Sequence, residues 1–468
     1  MKLPKDKIKK ILIVRPDAIG DLVLITPAIA AIRKAFPAAK IALLLQQYTA
    51  EVMAHHPDID EIIIDKIKGG QAKSLPAFLK YVAEIRAKKF DLSIDFYSFN
   101  IKHTLLQYLA RIPYRLGDKS RLLLGLFYNC GKIIKYKDYT KHIVELHLDL
   151  LESVGLKAEI PKLNMPVPEA TITKFRQRLA ALGVLDNDYL IGVHPGCTSS
   201  RSWDAEKYAA VIDQLADQLS AKVILTGGPK EQASGQKIIK LCQHPPLNLI
   251  NQTTIPEMMA LIKRLNIYIG ADTGPTHIAG AVGTPVVLII LAKNVKPVRW
   301  ATYKSPHIIL YAHPQARCPI FCDAGRCQEK YCTETISAAD VVNAAKKLQA
   351  GESHRVLDWQ KLSFNTLIIY DDKNQAQAES LENHLKQQGY HAVKQNAKQT
   401  SLHQLLKTIE TENILILHHL GQKAYLTTKL ANWLSGIYTT NATIIVKGYK
   451  EGQDLLALYR RTFQQSLF

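Results

Sequence analysis

Residues 267–291, IYIGADTGPTHIAGAVGTPVVLIIL, admit few folds. The short apolar runs Ile267 to Ile269 and Val286 to Leu291 read as buried strands. Between them Gly270, Asp272, Thr273, Gly274 and Pro275 make a turn. Ile278 to Val282 form a helix that Gly283, Thr284 and Pro285 end. Such a strand–turn–helix–strand unit belongs to a parallel sheet. Its turn lies at the carboxyl end of a strand, where open α/β sheets bind ligands. The N–H groups of the helix N-terminus have no internal partners and suit an anion. Thr273 and Thr276 add hydroxyls there, and Gly274 leaves room for a phosphate. The competing reading is an ordinary βα turn capped by Asp272 or Thr273.

The same alternation runs through the whole chain. Strands at Ile11–Val14, Lys40–Leu45, Glu61–Asp65 and Phe90–Phe96 are predicted. Helices at Leu22–Phe36, Glu51–His56, Ser74–Lys88, Lys102–Ala110 and His142–Val154 complete a first doubly wound unit, residues 1–165. In it Arg15 to Asp21 reads as a loop, and Pro161 to Pro168 as an extended linker. A second unit, residues 166–352, has strands at Tyr189–Val193 and Lys222–Leu225 besides the two above. Its helices are Thr171–Leu182, Ala205–Leu219 with Asp204 as N-cap, Ile255–Leu265 and Ile336–Leu348. Residues 360–468 repeat the pattern with strands Thr366–Tyr370, His391–Lys394, Ile414–His418 and Ala442–Lys447, a third and smaller α/β domain. Asp371-Asp372 and Lys447 make it look like a receiver domain. The position after its third strand is His418-His419 rather than an Asp, which favours a structural or docking role over phosphotransfer.

Charge narrows the partners. The chain carries a formal +19, which favours acidic ones. Residues 102–141 hold nine Lys/Arg against Asp118 and Asp138, and include the apolar and basic run RLLLGLFYNCGKIIKYK from Arg121 to Lys137. That pairing fits a membrane surface or a core helix with a solvated basic face. No aromatic-rich basic strand or helix-turn-helix pattern points to nucleic acid. The basic start has only four apolar residues in a row, so no signal peptide is expected. The longest stretch free of Asp, Glu, Lys and Arg, Thr273 to Ala292, contains His277, two prolines and three glycines, so no transmembrane helix is expected either. A cytoplasmic location follows, and with it free thiols. Four of the seven cysteines, Cys318, Cys322, Cys327 and Cys332, are grouped closely enough for a structural zinc site, although their spacing lacks CxxC pairs.

Three loops carry the chemistry: Gly20-Asp21, Thr198 to Arg201, and Asp272 to His277. Two Rossmann-like units facing across a cleft would join them. One carboxylate then stands opposite hydroxyls, a cation and a helix N-terminus, which is what sugar transfer from a nucleotide diphosphate requires. The leaving diphosphate needs Arg201 and backbone N–H groups, and the acceptor hydroxyl needs a base, Asp21. No DxD-type metal motif stands out.

RPDAIGDLVLITPAIAAIRKAFP (Arg15 to Pro37), HPGCTSSRSW (His194 to Trp203), LTGGPKE (Leu225 to Glu231) and GADTGPTHIAGAVGTP (Gly270 to Pro285) resemble glycosyltransferase family 9, the ADP-heptose:lipopolysaccharide heptosyltransferases. The resemblance covers roughly residues 8 to 350. It implies the two-domain GT-B fold, with an acceptor-binding first domain and a donor-binding second one. It also implies an inverting transfer that needs no metal cofactor. Asp21 matches the carboxylate thought to be the general base. Thr198, Ser199 and Arg201 match the loop holding the donor phosphates, where many members have Lys in place of Arg201. Asp272, Thr273, Gly274 and His277 match the segment at the donor pyrophosphate. Lipopolysaccharide-core acceptors are anionic and membrane-anchored, which would explain the basic segment as a docking face on the inner membrane.

Each residue also has a plainer reading. Asp21 would be a helix N-cap, Arg201 a surface partner of Asp204, His277 a core histidine, and Trp203 packing. For the whole chain the alternative is a non-catalytic GT-B scaffold that binds a nucleotide or lipid and recruits a partner through residues 360–468.

Overall fold

β1 (Lys10–Val14) is buried from Ile11 onward and lies between two parallel neighbours, so both its faces must be covered. The chain supplies the cover in turn. α1 (Ile19–Leu24) and α2 (Thr26–Ala35) lead to β2 (Lys40–Leu45), α3 (Ala50–Met53) to β3 (Glu61–Ile64), α4 (Leu75–Ala87) to β4 (Leu92–Asp95), and α5 (Ile101–Leu109) to β5 (Tyr114–Leu116). The order β3-β2-β1-β4-β5 reverses between β1 and β4, which opens a crevice at their carboxyl ends. α6 (Leu122–Gly125) and α7 (Ile143–Glu152) complete this unit. The computed structural model describes residues 3–97, 100–120, 122–134, 141–156, 162–196, 203–291, 297–311, 333, 335–353 and 355–356, then 365–370, 375–376, 379, 382–383, 391–396, 414–420 and 445–446.

The second unit begins with α8 (Glu169–Ala181) and β6 (Leu190–His194). It continues through α9 (Ala205–Leu219), β7 (Lys222–Leu225), α10 (Gln232–Leu241), β8 (Leu247–Asn248), α11 (Ile255–Arg264), β9 (Ile267–Ala271), α12 (Gly274–Val282) and β10 (Val286–Ile290). α13 (Pro297–Trp300), β11 (His307–Tyr311), α14 (Ala338–Gln349) and β12 (Arg355–Val356) close it. Its seven strands run β12-β11-β10-β9-β6-β7-β8, with the reversal between β6 and β9. A third parallel sheet, β14-β13-β15-β16, is built from β13 (Asn365–Tyr370), β14 (His391–Asn396), β15 (Ile414–Leu420) and β16 (Ile445–Val446). Of the helices expected between these strands, only 375–376, 379 and 382–383 are described, and these are helical; the rest, with Asp371, Asp372 and Lys447, lie outside the described residues.

Three expectations need correction. The single helix Leu22–Phe36 is two helices, jointed at Ile25. Pro27 has no N–H for the Val23 carbonyl, and the Thr26 hydroxyl donates to that oxygen instead, at 2.8 Å. The first helix also starts three residues earlier than expected, so Gly20 and Asp21 are helical rather than part of a loop. In the third sheet His418 and His419 lie inside β15, paired with Ile368 and Ile369, and not after it. Their neighbour Leu420 still pairs with Tyr370, which keeps the strand going.

A single apolar cluster joins the two larger units. It runs from Ile11, Ile29 and Val144 on one side to Leu179, Leu261 and Tyr268 on the other. α1 packs on α12 and α3 on α11. Polar ties cross the same seam. His142 caps α7 through Nδ1, which accepts from Val144 N–H at 3.2 Å, so Nε2–H donates to the carbonyl of Ala301 at 2.9 Å. Burial holds the His142 pKa down to about 3, which keeps the ring neutral for that tautomer. Along the linker, Asn164 N–H donates to Thr26 Oγ1 at 3.2 Å.

Candidate active site

The first strand delivers Arg15 to the floor of the crevice, where it is 6% exposed. A buried guanidinium needs partners, and Arg15 has three. Nη1 donates to the carbonyl of Phe96, just past β4. Nη2 bonds Asp21 Oδ1 at 2.6 Å. Nε lies 3.4 Å from Asp17 Oδ2, an ion-pair contact without hydrogen-bond geometry. Asp17 also receives Lys68 Nζ at 2.9 Å, and that ammonium stands 4.3 Å over the Tyr97 ring. Burial pushes the Asp17 carboxyl above its ordinary value, opposed by Arg15 and reinforced by Asp21. Asp21 itself stands in the first turn of α1 with a quarter of its side chain exposed. It is not the N-cap: Ala18 takes that position, and the Asp21 carboxylate turns to Arg15.

Across the crevice, β9 ends at Ala271 and α12 starts at Gly274. Thr273 occupies the N-cap position, yet its side chain makes no capping bond. Its hydroxyl lies 3.4 Å from both Ala271 O and Thr276 Oγ1, and Thr276 donates to Ala271 O at 2.5 Å. The ordinary capped turn is therefore not what forms, and the first N–H groups of α12 keep no side-chain cap. Asp272 Oδ1 holds His277 Nε2 at 3.2 Å. His277 is buried, and its Nδ1 finds no partner among the described residues.

Two glycines press these turns together. A Cβ on Gly274 would lie 2.9 Å from Ile19 Cβ, and one on Gly20 would lie 2.8 Å from His277 Cδ2. The structure thus brings Asp21 and the segment Asp272–His277 to one place, as the sequence suggests. Thr198, Ser199 and Arg201 lie outside the described residues, as do the four grouped cysteines. Asp204 stands at the N-cap position of α9 but makes no side-chain capping bond. Trp203 is packing: it is buried, edge-on to Tyr208 at 5.1 Å, with Nε1 donating to Thr333 O.

Sequence reading missed a group at the ends of β6 and β7. His194 is buried beside Thr226, and burial lowers its pKa. Glu231 accepts from Gly228 N–H at 2.8 Å. A Cβ on Gly196 would meet His194 Nε2 at 2.5 Å and Glu231 Oε1 at 2.9 Å, so both side chains pack against that glycine. The available signal was a carboxylate three residues after a Gly-Gly turn that follows a buried strand. Among the described residues no group of three His, Cys, Asp or Glu side chains could hold a metal ion.

Part of the basic segment is engaged by its own fold. Arg115 donates to the carbonyls of Ile112 and Phe127, and Lys141 pairs with Asp149 at 2.7 Å. Lys102, Arg111 and Lys132 are exposed. Leu126, Ile133, Ile101 and Tyr108 are exposed beside them, Leu126 by 76% and Ile133 by 65%. Among the described residues no helix is long and apolar enough to cross a membrane.

Two Rossmann-like units closing on a shared cleft are the architecture of a GT-B glycosyltransferase. Residues 78–320 match the family model described as "Glycosyltransferase family 9 (heptosyltransferase)", and the chain belongs to that family. Lipopolysaccharide heptosyltransferase 3 of Escherichia coli (strain K12) is 30% identical over 341 residues, covering 70% of this chain and 95% of its own. The crystal structure of the glycosyl transferase family 9 from Veillonella parvula DSM 2008 superposes with a TM-score of 0.64 at 25% identity, over 75% of this chain and 99% of that one. E. coli heptosyltransferase WaaC with ADP-2-deoxy-2-fluoro heptose shares the fold at a TM-score of 0.54 and 18% identity, over 74% of this chain and all of its own. Each match takes in nearly the whole of the other protein but at most three quarters of this one.

Proposed function

We propose that this glycosyltransferase moves a heptose, or a related sugar, from an ADP-sugar to a lipopolysaccharide-core acceptor, with inversion and without a metal. The observation that carries the reading is Asp21, part-exposed on α1 next to Gly20, whose close contact with Gly274 and His277 sets α1 against the uncapped start of α12. In one displacement the acceptor oxygen bonds the anomeric carbon as the bond to the diphosphate breaks. Asp21 takes the hydroxyl proton. The diphosphate leaves toward the α12 N–H groups, Thr273 and Gly274, with Thr198, Ser199 and Arg201 supplying further donors and charge. Asp272 and His277 shape that pocket. A single displacement at that carbon inverts it. The donor chemistry is that of the ligand held by the WaaC relative, and the acceptor that of the lipopolysaccharide heptosyltransferase relative.

The division of labour is a first domain, 1–165, for the acceptor and a second, 166–352, for the donor, with 360–468 as an addition of separate role. The test is turnover by the purified chain with ADP-heptose, core acceptor and EDTA. Nucleotide release that requires the acceptor and survives EDTA is expected. Nucleotide binding with no turnover on any core acceptor would turn the reading to a scaffold acting through residues 360–468.

The exposed Leu126 and Ile133 beside Lys132 suit the cytoplasmic face of the inner membrane, where such an acceptor is anchored. Each Lys near an anionic surface contributes about 1 kcal/mol. The triple variant Lys132→Glu, Lys135→Glu, Lys137→Glu should therefore bind anionic vesicles more than about tenfold less tightly. Equal binding to the wild type would remove the membrane from this account.

A further inference from the structure

The two acidic residues near the end of β1 share one cation. Arg15 reaches Asp21 through Nη2 and Asp17 through Nε, while Nη1 is tied to the carbonyl of Phe96. Phe96 follows Asp95, which pairs in register with Val14, so the guanidinium is anchored to the sheet between β1 and β4. Lys68 grips Asp17 from the far side and rests on Tyr97. A continuous chain of charge, Lys68–Asp17–Arg15–Asp21, thus crosses the carboxyl edge of the first sheet. Its last member is the one with a carboxylate facing the cleft. The bond from Arg15 engages Oδ1 of Asp21, and Oδ2 has no partner among the described residues.

We propose that Arg15 is a positioning residue for the transfer, locking the Asp21 carboxylate with Oδ2 toward the acceptor and keeping it apart from Asp17. This rests on the reading of Asp21 as the base. The physical argument has two parts. A planar guanidinium holds a carboxylate in one orientation, whereas an ammonium acts as a point charge. Without the cation, Asp17 and Asp21 become neighbouring like charges, and one must take a proton. A base that is already protonated or turned away accepts no proton from the acceptor. Burial is the main reason the Asp17 carboxyl lies above its ordinary value, and the neighbouring Asp21 charge pushes it the same way.

The experiment compares kcat, donor KM and melting temperature for the full chain and the variants Arg15→Gln, Arg15→Lys, Arg15→Gln with Asp17→Asn, and Asp21→Asn, using ADP-heptose and core acceptor. Arg15→Gln is expected to lower kcat roughly 100-fold with donor KM within about twofold, the signature of misplacement at the reacting centre. Arg15→Lys should recover part of that loss. Adding Asp17→Asn to Arg15→Gln should raise kcat again, because the competing carboxylate is gone. The proposal is overturned if Arg15→Gln keeps kcat within about threefold. It is equally overturned if Lys does no better than Gln and Asp17→Asn brings no recovery, which would leave Arg15 only its tie to Phe96. Should Arg15→Gln fail to fold, Arg15→Lys decides: a kcat loss at unchanged donor KM supports the role, and unchanged kcat refutes it. Full activity in Asp21→Asn would instead defeat the base reading, whatever Arg15 does.

Discussion

Asp21→Asn is expected to lose transfer by about three orders of magnitude while still binding the donor, because a positioned general base contributes roughly 10²- to 10⁴-fold. The substitution is nearly isosteric. An Asn oxygen can still accept from Arg15 Nη2, so the 2.6 Å contact has a substitute and α1 keeps its seat. What goes is the ability to hold a proton. The N–H groups at the start of α12, the proposed donor side, are unchanged by the substitution. Nucleotide affinity measured by calorimetry should stay within about threefold of the wild type, and steady-state turnover should collapse. An Asn variant that turns over at a tenth of the wild-type rate or better would move the base elsewhere in the cleft.

Gly274→Val should be the second most damaging change. Here the cause is steric. The added Cβ would meet Ile19 Cβ at 2.9 Å and Cγ2 at 3.0 Å, with Gly20 N at 3.3 Å behind them. None of these is the far end of a flexible side chain, so α1 and α12 must separate. Overpacking of this kind costs about 1–3 kcal/mol, which should appear as a drop in melting temperature of several degrees. The catalytic effect should be larger than the stability effect. Moving α1 relative to α12 shifts Asp21 relative to the proposed diphosphate site, and a displacement of about 1 Å costs on the order of 100-fold. Parallel measurement of kcat and thermal unfolding separates the two. Wild-type turnover would show that the helix contact does not set the reacting geometry.

Long apolar runs were the legible part of the fold. β6, β9 and β10 are buried throughout, and β1 and β2 after their first lysines, and a near-continuous apolar stretch is their direct signature. β5 and β8 escaped because three and two residues are too few for a periodic signal. The break at Ile25 depended on where one carbonyl finds its donor, and Pro27 alone suggests only a helix start. The site was legible in the same uneven way. Glycines, hydroxyls and an acid at the ends of strands flagged both turns. Arg15 looked like a loop residue, since its burial and its hold on two acids exist only once β4 lies beside β1. Glu231 closed the LTGGPKE motif without receiving a role, because nothing in its local sequence says that it packs on Gly196, thirty-five residues earlier.

The apolar cluster that crosses from one unit to the other bears on how such an enzyme could be recombined. Under the proposed division of labour, exchanging the second unit for that of a relative would be the route to a new donor sugar. In this protein a crossover between the units would divide one core, since Ile29 and Val144 belong to the same cluster as Leu261 and Tyr268. The His142–Ala301 bond and the Gly20–Gly274 contact lie on the same boundary. A workable hybrid would have to bring both sides of that seam from one parent.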